Sequence, residues 1–360
     1  MKWLLVLGAL AVVGGVVFGM IKLFTSTPNL TKSAVLLPGG DTAGKQVFPW
    51  ADGVLSITKD RQLICCDMKG VTQWTIQVPA DNMKASRRGK LTAVWGGKVV
   101  QIIDETGISL VTKNMQGEVI DVAVGETQYA VITKEEDQHR LYLYNLKSDE
   151  VVDGDNFPSQ SVMGLGFYGK GMENLWTLAL DSHGTVPVTR LTTYYPGKLT
   201  TGTITLNDEV GYTVVLAGNS IYVVGTHSLT DWQNGEKKSS RLVYGWNLQD
   251  SYTFPSGKTG FLFSPSGGQE ASTQISMLWY IDSTGTEYRV PLPPGCIKAM
   301  IKSSGKLCVA TRNGAYLMDL DGTNRRFYPL NFNVDSVPAV VSGSAFVAQS
   351  THRNYLIPMP

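Results

Sequence analysis

The chain has 360 residues, 43% of them hydrophobic and 17% charged, enough for a large core and long for one compact domain unless the fold is a repeat ring. Its formal net charge is +1, from 31 basic and 30 acidic residues. That balance lacks the basic footprint that phosphate-backbone binding needs, so nucleic acid is excluded as an expected partner.

The first element is apolar. Trp3 to Ile21 runs without a charge between Lys2 and Lys22, and at about 1.5 Å per residue it reaches roughly 28 Å, enough to cross a hydrocarbon core. A cleaved signal peptide is the competing reading. Its apolar region is usually shorter, and here Met20 to Phe24 continues the apolar character past the small residue Gly19. The expectation is a transmembrane anchor over 1–24 in a bacterial inner (cytoplasmic) membrane, with the N-terminus inside and the body in the periplasm or outside the cell. Ala11, Gly15 and Gly19 recur every fourth position, a spacing that lets helices pack closely in lipid.

Residues 25–46 read as a linker holding one strand, Ser33 to Leu37. Gly39 to Gln46 approaches a phosphate-binding loop, but Gln46 replaces the magnesium-binding Ser or Thr, and Pro49 opposes the helix that should follow. A turn is expected there.

From 47 to 360 a strand unit repeats, and glycine is frequent throughout (38 in the chain). Gly53-Val54-Leu55-Ser56-Ile57 is followed by Gln62 to Asp67, a turn at Lys69-Gly70, and a strand with Trp74. Gly305 to Ala310, Gly314 to Asp319, Asp321-Gly322 and Arg326 to Leu330 repeat it near the end, with partial copies ending at Asp104 and Asp282. The spacing is blade length for a propeller, in which small sheets with two apolar faces stack around an axis. The expected fold is all-β, a β-propeller of four-stranded blades near 47–80, 83–117, 118–159, 160–207, 208–257, 258–295, 296–332 and 333–360. The last has three strands, and Ser33 to Leu37 would supply the fourth and close the ring. Eight blades is the expected count, with seven as the alternative.

Cys65 and Cys66 should face opposite sides of one strand. Cys296 and Cys308 fall on consecutive strands, with Cys308 opposite roughly Met300, offset too far to bridge. Four free, buried thiols are expected.

The run Gly53 … Leu63 … Asp67 … Gly70 … Trp74, with Phe327 in the Trp place in the seventh copy, resembles the pyrroloquinoline-quinone-like repeat. The resemblance implies a propeller similar to the non-catalytic, eight-bladed one of bacterial outer-membrane assembly. That propeller is tethered by a lipid on cysteine, whereas an apolar segment stands here, so the same partners do not carry over.

Catalytic, cofactor and metal sites are not expected. His139, His183, His227 and His352 stand apart from any metal-ligand spacing. Cys65-Cys66 is similar to the vicinal pair of some quinone-dependent dehydrogenases, but the acidic cluster of those enzymes is lacking. Asp67, Asp104, Asp282 and Asp319 recur before a turn, where Asp bonds the following backbone.

One region points to a partner. His227 to Ser240 reads as a long polar loop with Trp232 at its middle, and Trp is enriched at interface hot spots. Trp232, Asn234, Lys237 and Lys238 are the candidate contacts, against the alternative that Trp232 folds onto its own blade. A shorter polar insertion, Ser264 to Thr273, is expected to border the same rim. The functional expectation is a non-catalytic, membrane-anchored scaffold binding other envelope or membrane proteins in a secretion, pilus or assembly machine. The alternative is a channel-mouth protein binding small ligands or carbohydrate, or a propeller hydrolase or quinoprotein-like enzyme.

Overall fold

The computed structural model describes residues 29–39, 46–80, 82–195, 199–266 and 274–360. They form eight antiparallel sheets of four strands each. Seven sheets are contiguous in sequence, at 46–77, 84–114, 118–157, 161–207, 211–242, 246–291 and 296–329. The eighth joins 336–358 to Val35–Leu36. In every blade but the last the strands lie side by side in chain order, so the first is innermost and the fourth outermost.

Alternation along each strand explains why these sheets stack. Val54 and Cys66 join an apolar cluster shared with blade eight, while their chain neighbours Leu55 and Cys65 join one shared with blade two. The same division recurs around the ring, giving one cluster at each of the eight blade junctions. A fully buried Leu such as Leu55 or Leu63 contributes roughly 1.5–3 kcal/mol that an isolated blade would forgo. The vicinal cysteines thus face opposite sides as expected. All four thiols are free and buried, and Cys308 pairs with Met300.

The ring closes through the N-terminal strand. Val35 pairs with Leu356 and Leu36 with Tyr355, and the Leu37 N–H donates to the Asn354 carbonyl at 2.9 Å. The strand is shorter than Ser33 to Leu37 because a 3-10 turn, Leu30–Lys32, precedes it, capped by the Asn29 side chain accepting from the Thr31 N–H at 2.9 Å.

Two sequence expectations are corrected. Blade five ends at Leu242, and Trp246–Thr253 is the innermost strand of blade six, not the end of blade five. Its register shifts between Leu248 and Asp250. This bulge, together with the polar residues of an axial strand, hides the apolar alternation that marks strands elsewhere. The supposed loop over His227 to Ser240 is instead a hairpin of Ser228–Gln233 and Glu236–Leu242, the outer half of blade five.

The expected anchor over 1–24, with Ala11, Gly15 and Gly19, lies outside the described residues, as do parts of the Gly39 to Gln46 and Ser264 to Thr273 segments. Among the described residues no helix is long and apolar enough to cross a membrane.

Candidate functional site

Blade five carries the four candidate contacts on its outer hairpin. Asn234 and Gly235 form the turn, with φ of 52° and 79°. Two consecutive positive φ values belong to the tight turn that matches strand twist, and Asn-Gly is the pair that adopts it most readily. That dipeptide was the hairpin signal in the sequence.

Trp232 is half-buried against the cluster between blades four and five, and its indole N–H donates to Thr230 Oγ1 at 3.0 Å. Lys237 pairs across the hairpin with Trp232, and Lys238 holds an exposed ion pair with Glu236 at 2.6 Å. Charged side chains along an outermost strand also deter edge-to-edge pairing.

The two ends of this hairpin differ in character. At the far end from Asn234, Leu242 is 74% exposed and Tyr244 69% exposed. The Tyr244 ring stacks on His227 with centroids 5.2 Å apart, which holds it in place without covering it. Beside them Ser266, at the start of the polar insertion, donates its N–H to the Gly245 carbonyl at 2.8 Å. The described start of the insertion, Ser264 to Ser266, therefore borders this rim, and the rest of it lies outside the described residues.

A buried carboxylate fixes the base of the hairpin. Glu209 accepts from the His227 N–H at 2.8 Å and from the Ser228 hydroxyl at 2.7 Å. A side chain at Gly225 would collide with Glu209 Oε1, so glycine is required for the carboxylate to enter.

At the Asn234 end the blades separate. The cluster between blades four and five rests on five buried residues, Leu178, Leu191, Ile204, Leu206 and Val223. A cleft of about 710 Å3 opens beside it, with Asn234 and Gly235 on its wall. Leu191, Ile204, Leu216 and Ile221 give it an apolar floor, and Arg88 of blade two reaches in beside Tyr168. Arg88 is an exposed residue, and desolvation by the protein around it lowers its pKa.

Along the axis, two aspartates follow bulges on innermost strands. The Asp250 carboxylate accepts the Ile301 N–H of the next blade at 2.7 Å, and Asp121 accepts the N–H of its chain neighbour Val122 at 2.9 Å. Burial raises both carboxyls to about 6, against the pull of Lys298 and Lys84 respectively.

The recurrent aspartates sit at turns. Asp67, Asp104 and Asp282 each accept two backbone N–H groups of the turn that follows, while Asp319 accepts from Lys306 and Asn324. Among the described residues no three His, Cys, Asp or Glu side chains converge as metal ligands.

No protein-family model matches the chain, and no curated protein matches it. Solved structures do. BamB from Moraxella catarrhalis is 12% identical and superposes with a TM-score of 0.60 over 91% of this chain and 96% of its own. The C-terminal WD40 domain of Sif2 is 11% identical, with a TM-score of 0.60 over 91% and 97%. The likeness is one of fold. At these identities it establishes the propeller and its complete ring, and leaves chemistry to the residues.

Proposed function

We propose that this protein is a non-catalytic, membrane-tethered scaffold whose blade five binds a protein partner in a bacterial envelope complex, of the secretion, pilus or assembly kind. The observation that carries the reading is the exposure of Leu242 and Tyr244 at the end of a rigid hairpin. A large aromatic and a large aliphatic side chain held side by side in water are what a partner's pocket buries to most effect. The outermost strand supplies the flank, with Trp232, Asn234, Lys237 and Lys238 along the same hairpin. A propeller is suited to this task because stacked blades hold such elements rigid. The apolar run Trp3 to Ile21 supports the tether, which would place the blades beside other membrane proteins.

The reading is tested by detergent extraction of the full chain from its own membrane, comparing wild type with a Leu242→Asp/Tyr244→Ala double variant. Copurification of one protein in fixed ratio with the wild type, lost in the variant at unchanged melting temperature, supports it. Recovery of the wild type alone contradicts it.

A further inference from the structure

The cleft at the other end of the hairpin has a composition that a partner-binding rim does not explain. Its volume, about 710 Å3, lies in the range of small-molecule sites. Arg88 brings a positive charge, and among the described residues it makes no ion pair and no carboxylate lines the cleft to neutralise it. Thr203 of blade four and Asn219 and Asn234 of blade five also line it. None of these three side chains makes a hydrogen bond among the described residues, so each keeps its donor and acceptor capacity for a guest.

We propose that the cleft between blades four and five binds a small anionic saccharide, a sugar bearing a carboxylate or a phosphate. A guanidinium takes either anion through two parallel N–H donors. Hydroxyl and amide side chains on facing walls match sugar hydroxyls, which donate and accept in turn. The floor of Leu191, Ile204 and Ile221 covers the C–H face of a ring, a surface that a bare inorganic anion lacks. A cationic ligand would meet Arg88 with no acidic group to offset the repulsion.

The site rests on a different feature from the partner reading: Asn234 is common to both, but the cleft and the exposed Leu242 lie at opposite ends of one hairpin.

The test is isothermal titration of the full-length chain in detergent with glucuronate, glucose 6-phosphate, glucose and inorganic phosphate. Glucuronate, glucose 6-phosphate or both bind at least about tenfold more tightly than glucose and inorganic phosphate. Arg88→Gln weakens that binding by about 10- to 100-fold, the worth of a charge-assisted hydrogen bond. Asn219→Trp, an exposed turn position at the cleft, abolishes it. Both variants change residues without internal hydrogen-bond partners, and their melting temperatures confirm folding. Failure of both anionic sugars to bind, equal affinity for phosphate alone, or affinity unchanged in Arg88→Gln would overturn the proposal.

Discussion

Trp74, on the outermost strand of blade one, packs directly onto Gly107, in the turn before the outermost strand of blade two. A Cβ at Gly107 would lie 3.0 Å from both Cβ and Cγ of Trp74. The contact recurs with other partners, because Val35 covers Gly70 and Val290 covers Gly322 in the same way. Each turn glycine also has a positive φ, 72° at Gly70, 90° at Gly107 and 82° at Gly322. One residue thus meets two demands, a left-handed backbone and room for the preceding blade.

Gly107→Ala is therefore expected to lose roughly 2–4 kcal/mol, from backbone strain plus overpacking against Trp74. Gly97→Ala is the control, since Gly97 has φ of 55° but nothing within 4 Å of the added Cβ. It should lose only about 1 kcal/mol. Urea unfolding of the two variants separates the terms.

Glu209→Ala should also be damaging. It leaves the part-buried His227 and Ser228 donors without their acceptor, at a cost of about 1–3 kcal/mol. The loss would appear in urea unfolding, and hydrogen exchange should show it first at 226–229.

The axial aspartates give a pH signature. Asp121 and Asp250 have folded pKa values raised to about 6 from 3.8. Between those values the folded state binds more protons than the unfolded one, so their contribution to stability falls as pH rises from about 4 to about 6. The turn aspartates Asp104, Asp282, Asp319 and Asp321 are lowered instead, and act in the opposite sense. An Asp121→Asn/Asp250→Asn variant should gain stability relative to wild type as pH rises through 4–6. A parallel pH dependence for both proteins would contradict the assignment.

The thiols should be inert. Burial raises Cys66 and Cys296 to about 11 and Cys308 to about 12. A thiolate-directed reagent such as a disulfide dye should label none of the four cysteines in the folded protein and all four in denaturant.

Much of this architecture was legible because it rests on local rules. Asp67 and Gly70 announced a turn, and Trp74 the strand that follows it. The adjacent Cys65 and Cys66 obeyed strand alternation, and the unpaired strand near Val35 matched the blade that lacked one. Trp246–Thr253 was missed because a bulged, polar axial strand has no clean period. The site was half legible. Asn234 and its neighbours were singled out, but reading them as a loop overlooked the turn chemistry of Asn234-Gly235. The Leu242–Tyr244 rim lacked a local signal, since exposed apolar residues look like core until the fold places them. The cleft arises from unequal packing between two blades, and the approach of Arg88 from blade two is a property of the closed ring alone.

The most direct test of the central claim is photo-crosslinking from position 244 in intact membranes, with a photoreactive aromatic residue replacing Tyr244. The account predicts a discrete adduct with one other protein, lost when Leu242→Asp is added. A chain that stays uncrosslinked at every dose, while remaining folded in the membrane, would contradict it.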